Sequence, residues 1–339
     1  MINGVEGVHE KHEDEFDIIS RIFAPLATET GALGLRDDAA VLMVTDGQEL
    51  VVTCDTLVEG VHFLKDDPAE SVGHKALAVN ISDLTAKGAR SYAYMLSLAL
   101  PQDVPTQWLE DFACGLKGIQ DQTGISLIGG DTTAMPGPLT VTITALGLVS
   151  HQHAVLRLGA NPGDRFYVSG TIGDAHLGLR LLLEPECAET WGLAEEDVAF
   201  LVERYQRPGP NNKLALLVRN FAQAAIDVSD GLVGDIEKLC RASHVGAKLE
   251  AARVPFSPAA QKALAREPDL LPVLIAAGDD YEVVAAVSEK STAGFESEAV
   301  AMGAAFTMIG QVLPEDDAVT VLDVQGRLIA LKQKGFSHF

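Results

Sequence analysis

The order of periodic segments predicts an α+β and α/β protein of two domains: a first half built on a mixed sheet, and a second half in which strands alternate with helices. Three observations carry this. The chain has 339 residues, 47% of them hydrophobic, enough for two cores rather than one. Leu139, Val141, Ile143 and Ala145 alternate with Thr140, Thr142 and Thr144, the period of a half-buried strand. His151-Gln152-His153 and the turn Gly159-Ala160-Asn161-Pro162-Gly163 mark the boundary between the two sets of segments, so the domains are placed at 1–150 and 151–339.

Residues 1–15 read as a polar leader, and His9, His12 and Glu13 within it miss the helical zinc spacing by one residue. Phe16, Ile19, Phe23 and Leu26 predict a helix over 16–26. Arg36-Asp37-Asp38 lies in a Gly-bearing turn before a strand at 39–42. Val51-Val52-Thr53-Cys54-Asp55-Thr56 is a strand delivering a carboxylate near its end. The helix over 71–86 has an apolar face at Leu77, Ile81 and Leu84, widened by Ala76, Ala78 and Val79. Asp83 on it either pairs with Lys87 at i,i+4 or, if buried, needs another partner or a metal. A strand over 92–100 and a helix from Trp108 to Gly124 follow. The strand 125–128 leads into Gly129-Gly130, which would admit a ligand to the backbone, and then Asp131.

In the second half, the strand 165–169 is followed by Gly170-Thr171-Ile172-Gly173-Asp174, opening a helix whose N-terminus suits an anion or a plain cap. Helices over 197–206 and 213–223 precede Ile226-Asp227-Val228-Ser229-Asp230-Gly231. Asp227 lies at a strand end, and Asp230 is either an N-cap of the helix 232–242 or a ligand. Gly278-Asp279-Asp280-Tyr281-Glu282 precedes a strand at 283–287, and further strands are expected at 305–312 and 318–332.

Asp55, Asp131 and Asp227 thus share one pattern, an acid at or near the end of an apolar run. In open α/β sheets ligands gather outside the carboxyl ends of strands. Acids converging there repel one another unless cations lie between them, and hard carboxylate oxygens suit Mg²⁺. With 48 acids against 25 bases, a formal net charge of −23, the surface repels nucleic acid and anionic membranes. The four cysteines are too far apart for a zinc motif or a disulfide framework, fitting a reducing compartment. No basic-then-apolar leader and no apolar run of about eighteen residues occurs, so a cytoplasmic location is expected. The P-loop, the dinucleotide fingerprint, the protein-kinase set and the nucleophile elbow are all absent. Spacing alone leads to a Mg²⁺-dependent enzyme acting on a phosphate compound.

The motifs taken together resemble the thiamine-monophosphate kinase family. They are Asp37-Asp38-Ala39-Ala40-Val41, Asp55-Thr56-Leu57-Val58-Glu59-Gly60-Val61-His62-Phe63, Lys75-Ala76-Leu77-Ala78-Val79-Asn80-Ile81-Ser82-Asp83-Leu84, Ile128-Gly129-Gly130-Asp131-Thr132-Thr133, Ile226-Asp227-Val228-Ser229-Asp230-Gly231-Leu232 and Asp279-Asp280-Tyr281-Glu282. They stand in family order from Phe16 onward. The resemblance implies an aminoimidazole ribonucleotide synthetase-like fold, with N-terminal sheets pairing in a homodimer, and transfer of phosphate from ATP to thiamine monophosphate. It implies magnesium ligands at Asp38, Asp55, Asp83, Asp131, Asp227 and Asp230, with Thr53 and Cys54 beside them. ATP contacts fall at Gly130, Asp131, Arg157 and Ser229, and thiamine-phosphate contacts at His62, Asp279 and Gln333.

Four positions depart from the family pattern. Arg36 stands where glycine is usual, Cys54 where threonine is, and Asp279 where glutamate is. Gln333 stands where an aromatic covers the substrate, with Phe336 nearby as a substitute. The rival readings are another ATP-using member of the superfamily, a metal-dependent phosphate-ester hydrolase, and a non-catalytic acidic binder of divalent ions or thiamine phosphate. Selenophosphate synthetases carry a reactive cysteine or selenocysteine in an N-terminal loop, and residues 1–35 here contain no cysteine.

Overall fold

The computed structural model describes residues 15–315 and 318–336; His9, His12 and Glu13 lie outside them. The predicted first helix is a succession of α1 (Glu15–Ile18), a π turn (Ile19–Phe23) and a 3₁₀ turn (Ala24–Leu26), which buries Ile22, Phe23 and Leu26. A second 3₁₀ stretch, Thr30–Leu35, carries positive φ at Leu33, Gly34 and Leu35. The strand expected at 39–42 does not form. Ala40 and Leu42 instead pack on Ala32, Ala93 and Ile128, so their burial came from a loop laid over a sheet rather than from a strand within it.

The first sheet comprises β1 (Gln48–Val58), β2 (Arg90–Leu100), β3 (Ser126–Ala134) and β4 (Thr140–Ser150) in the order β1-β4-β2-β3, with only β2 and β3 parallel. Helices α2 (Ala69–Ala86) and α3 (Thr106–Thr123) pack on one another, and with the sheet they form a common core that includes Leu77, Ile81, Phe112, Leu116, Tyr94 and Ile143. The opposite face shows Leu50, Val52 and Met95 to solvent. Strands β1 and β3 are both sheet edges.

Helix α2 is buried along nearly its whole length because its far side meets the second half of the chain. It ends at Lys87, followed by Gly88 at φ 68°, where an added Cβ would lie 2.8 Å from Arg219 Cβ. Both the left-handed backbone and the lack of room demand glycine. Gly88→Ala should lower stability by about 2 kcal/mol, read as the denaturant midpoint; an unchanged midpoint would show that the helix end relaxes freely.

The second half continues with β5 (Arg165–Ser169), α4 (Asp174–Leu183), α5 (Cys187–Trp191), α6 (Glu195–Gln206), α7 (Leu214–Phe221), β6 (Ala222–Asp227), α8 (Leu232–Ser243), β7 (Gly246–Glu250), α9 (Pro258–Arg266), α10 (Leu271–Leu274), β8 (Val283–Val287), α11 (Thr292–Ala301), β9 (Phe306–Leu313) and β10 (Thr320–Leu322). Its sheet runs β10-β7-β9-β5-β8-β6. Of the strand expected over 318–332, only three residues pair as β10. The remainder includes a turn at Asp323–Gly326 and then the segment 330–336, which reaches back over the mouth of a cleft. The cleft opens where α2 crosses β6 and β8.

Candidate active site

Ser82 on α2 donates its Oγ proton to the Asp227 carboxylate at 3.0 Å and lies 3.3 Å from the Tyr281 carbonyl. That contact brings the two halves of the chain together at the acids. A hollow of about 1090 Å³ opens here, and its lining includes Asp55, Asp83, Asp227, Asp230, His62 and Asp279, together with Ser229 and Gln333. Eight of the residues singled out from the sequence therefore face one space.

The electrostatics of the group are adverse. Burial, and then the charges of Asp83 and Asp230, push the Asp55 carboxyl up to about 6. Burial, followed by the charges of Asp83 and Asp235, holds the Asp227 carboxyl well above its ordinary value. Among the described residues no three His, Cys, Asp or Glu side chains are grouped closely enough to hold a metal ion by themselves. The proposed ion pair between Asp83 and Lys87 is not made. Asp83 accepts from Thr53 Oγ1, while Lys87 Nζ donates to the Ala225 carbonyl at 2.8 Å.

Asp230 is not an N-cap. The backbone N–H groups of Asp230 and Gly231 donate to Asp235, so a residue inside α8 caps that end. The Asp230 carboxylate is held by Lys238 and lines the hollow. The N-terminus of α4 is likewise closed to an outside anion, because the buried Asp280 accepts from the backbone N–H of Gly173 at 2.7 Å. This separates the two adjacent acids: Asp280 is structural, whereas Asp279 faces the hollow. Asp279 and Tyr281 both have positive φ, 72° and 51°, a strained pair around the buried Asp280. Hydrogen bonds from their N–H groups to Ser229 and Val228 hold the segment against the Asp230 loop.

The remaining predicted residues fall in three places. Thr53 and Arg157 line a second hollow of about 510 Å³ that shares Asp83 with the first. Cys54 turns its thiol to the open sheet face, where Thr144 Oγ1 lies 3.4 Å from it; only its backbone is on the side of the acids. Asp38 and Asp131 do not join the cluster within one chain. Asp131 shares its row with Ser97, Thr142 and Thr56 on the open face, while Asp55 shares the opposite face with Ile143 and Leu96. Strand β3 also lies three strand spacings from β1, about 14 Å. The strand runs on through Asp131 to Ala134, so the acid sits mid-strand on an edge rather than at a strand end. Asp38 is exposed on the loop that follows the 3₁₀ stretch packed against β3. Gly130 owes its identity to the sheet, since a Cβ there would meet the Leu96 carbonyl oxygen at 1.8 Å.

Several residues at or beside the hollow were missed. Lys75 is almost wholly buried, yet its ammonium donates to Asp279 at 2.9 Å and to the His62 carbonyl at 2.9 Å, and sits 4.0 Å from the Tyr205 ring centre. It thereby ties together two residues predicted to meet substrate. A lysine amid the apolar residues of α2 was the available signal. His176 and Tyr205, which line the hollow, gave none, since neither stands in a motif.

Comparison with known proteins identifies the family. Residues 36–149 match the family described as AIR synthase related protein, N-terminal domain, and residues 161–323 match its C-terminal domain. The thiamine-monophosphate kinase of Caulobacter vibrioides is 39% identical over 328 residues, covering 96% of this chain and 90% of that protein. The crystal structure of thiamine-monophosphate kinase from Stenotrophomonas maltophilia superposes with a TM-score of 0.78 at 38% identity, covering 87% of this chain and 91% of that one. The structure described as AaThiL complexed with AMPPCP and TMP gives 0.76 at 28% identity, covering 96% and 97%. On these grounds the chain belongs to the thiamine-monophosphate kinase family.

Proposed function

We propose that this chain transfers the γ-phosphate of ATP directly to the phosphate of thiamine monophosphate, giving thiamine diphosphate and ADP. The observation that carries the reading is the convergence of Asp55, Asp83, Asp227 and Asp230 on one hollow beside His62 and Asp279, in a chain whose relatives are thiamine-monophosphate kinases. The donor set fits Mg²⁺. Carboxyl groups held above their ordinary range by burial and mutual charge are relieved by a cation. Mg²⁺ is commonly held by one or two carboxylates together with substrate phosphates and water, which suits acids that do not close into a cage. Asp55, Asp83, Asp227 and Asp230 would hold it, and when bound it would neutralise phosphate charge as a Lewis acid.

The chain's own groups orient the two substrates. Arg157, in the hollow that shares Asp83, faces the nucleotide. His62 and Asp279 face the thiamine phosphate, with the Val58 N–H donating to His62 Nδ1 at 3.0 Å and so leaving the imidazole proton on Nε2. An acceptor phosphate oxygen is already ionised, so no strong general base is needed. The new P–O bond forms as the bond from the γ-phosphorus to the β-bridging oxygen breaks, without a phosphoenzyme. The segment 330–336 with Gln333 and Phe336 would cover the thiamine end. The domain boundaries at 1–150 and 151–339 are retained, with the second domain closing the site. The four free thiols fit a reducing, cytoplasmic setting, and no described helix is long and apolar enough to cross a membrane.

The open sheet face and its two unpaired edges support a homodimer formed through the first sheet. With ATP, thiamine monophosphate and Mg²⁺, ADP and thiamine diphosphate should appear in equal amounts, and chelating the metal should slow the reaction by at least about a hundredfold. Free phosphate without thiamine diphosphate would instead favour the hydrolase reading. A γ-phosphate label trapped on the protein would rule out direct transfer.

A further inference from the structure

We propose that Lys87 is a second phosphate-binding residue, forming with Arg157 a two-cation clamp on the triphosphate of the nucleotide. This rests on the nucleotide reading given above and extends it to a residue that the family motifs do not single out. Lys87 and Arg157 line the same hollow, with Thr53, Asp83, Leu156 and Leu158 among its other walls.

The two cations are held side by side by backbone bonds. The Lys87 carbonyl accepts from the Val155 N–H at 3.1 Å, the Leu156 carbonyl accepts from the Ala225 N–H at 2.9 Å, and Lys87 Nζ donates to the Ala225 carbonyl at 2.8 Å. Lys87 is therefore bonded both to Val155, two residues before Arg157, and to Ala225, whose N–H holds the Leu156 carbonyl. The Arg157 carbonyl is fixed in turn by Ser243 Oγ at 2.7 Å.

The chain has 48 acidic and 25 basic residues, yet among the described residues neither Lys87 nor Arg157 makes an ion pair. Two other lysines near the acids are occupied, Lys75 by Asp279 and Lys238 by Asp230 and Asp235. Burial, and then the guanidinium of Arg157, lowers the Lys87 ammonium to about 8, against the opposing pull of Asp227 and Asp83. Two like charges built together in a partly buried wall are an unfavourable arrangement that an anion relieves. An ammonium has three N–H groups; one is spent on Ala225, and two remain for phosphate oxygens. The apolar walls at Leu156 and Leu158 suit the base or ribose end of a nucleotide.

The test uses the full chain with Mg²⁺ and two probes, a non-hydrolysable β,γ-methylene analogue of ATP and adenosine. Lys87→Met should weaken binding of the analogue by about tenfold and leave adenosine within about twofold, because only the phosphate contact is lost. Lys87→Arg should keep the analogue within about threefold of wild type, since charge and reach are retained. In turnover, Lys87→Met should raise KM for ATP and not for thiamine monophosphate. Unchanged analogue affinity in Lys87→Met would overturn the proposal. So would an equal loss for analogue and adenosine, which marks a purely structural side chain. Failure of the wild-type chain to make thiamine diphosphate would count against the reaction assigned above, whereas Lys87 is judged on analogue binding alone.

Discussion

Asp227→Asn should reduce kcat by at least about a thousandfold while making the metal-free protein more stable. The side chain is only 4% exposed and accepts one hydrogen bond, from Ser82 Oγ. An asparagine keeps that acceptor and the shape but removes the charge that burial, Asp83 and Asp235 all disfavour. The direction with pH follows from linkage. Asp55 and Asp227 hold their protons to higher pH in the folded chain than in the unfolded chain. For Asp55 the window runs from 3.8 to about 6; within it the folded state binds more protons, so stability falls as pH rises, and the loss is complete above that range. Asp227, raised in the same direction by burial and neighbouring charge, adds to the same decline. Wild type without metal should therefore melt at a lower temperature at pH 8 than at pH 5, more steeply than Asp227→Asn, and Mg²⁺ should raise the wild-type melting temperature at pH 8. At pH 8 the substitution should raise the denaturant midpoint of the metal-free chain. A variant that is less stable than wild type, or that keeps a tenth of its turnover, would show that Asp227 is a packing residue.

Most elements of the first half were legible because their signals are local. Alternation in β4 and helical spacing in α3 depend on nothing beyond a few neighbours. Misreadings arose where burial came from elsewhere in the chain. Ala40 and Leu42 look like strand residues because a sheet face covers them. The run over 318–332 looks like a strand because Val319, Ile329 and Leu331 pack on the second core, although the backbone turns between them. The acids were legible as a set, since each closes or interrupts an apolar run. Which of them share a space was not, because side-chain direction on an edge strand is fixed by register with its neighbour. The pair Asp279 and Asp280 makes the same point. Adjacent carboxylates of equal chemistry take opposite roles because one faces Lys75 and the hollow while the other caps α4.

Mixing Asp131→Asn subunits with Asp55→Asn subunits should restore activity that neither variant has alone. The two residues implied as magnesium ligands that the single chain leaves outside its cluster, Asp38 and Asp131, both lie toward the β3 side of the first sheet. The backbone of Thr28 and Glu29, leading into the Asp38 loop, is bonded to Ser126 at the start of β3, each N–H donating to its Oγ at 2.9 Å. Thr53 and Asp55 lie on β1, the other edge. Each copy thus offers two unpaired edges, and Leu50, Val52 and Met95 leave its sheet face partly apolar. A twofold dimer that sets β3 of one copy beside β1 of its partner satisfies both edges, covers that face and places the strand of Asp131 next to the partner strand that carries Asp55. Each site would then draw Asp55 from one subunit and Asp131 from the other. In an equimolar mixture that has exchanged subunits, half the dimers are mixed. Each mixed dimer holds one site with both acids intact and one with neither, so about a quarter of the wild-type rate should return. Refolding the two variants together and assaying thiamine diphosphate measures this, with each refolded alone as the baseline. If the mixture stays as inactive as its parts, each site takes both acids from one subunit, and the arrangement of edges proposed for the dimer is wrong.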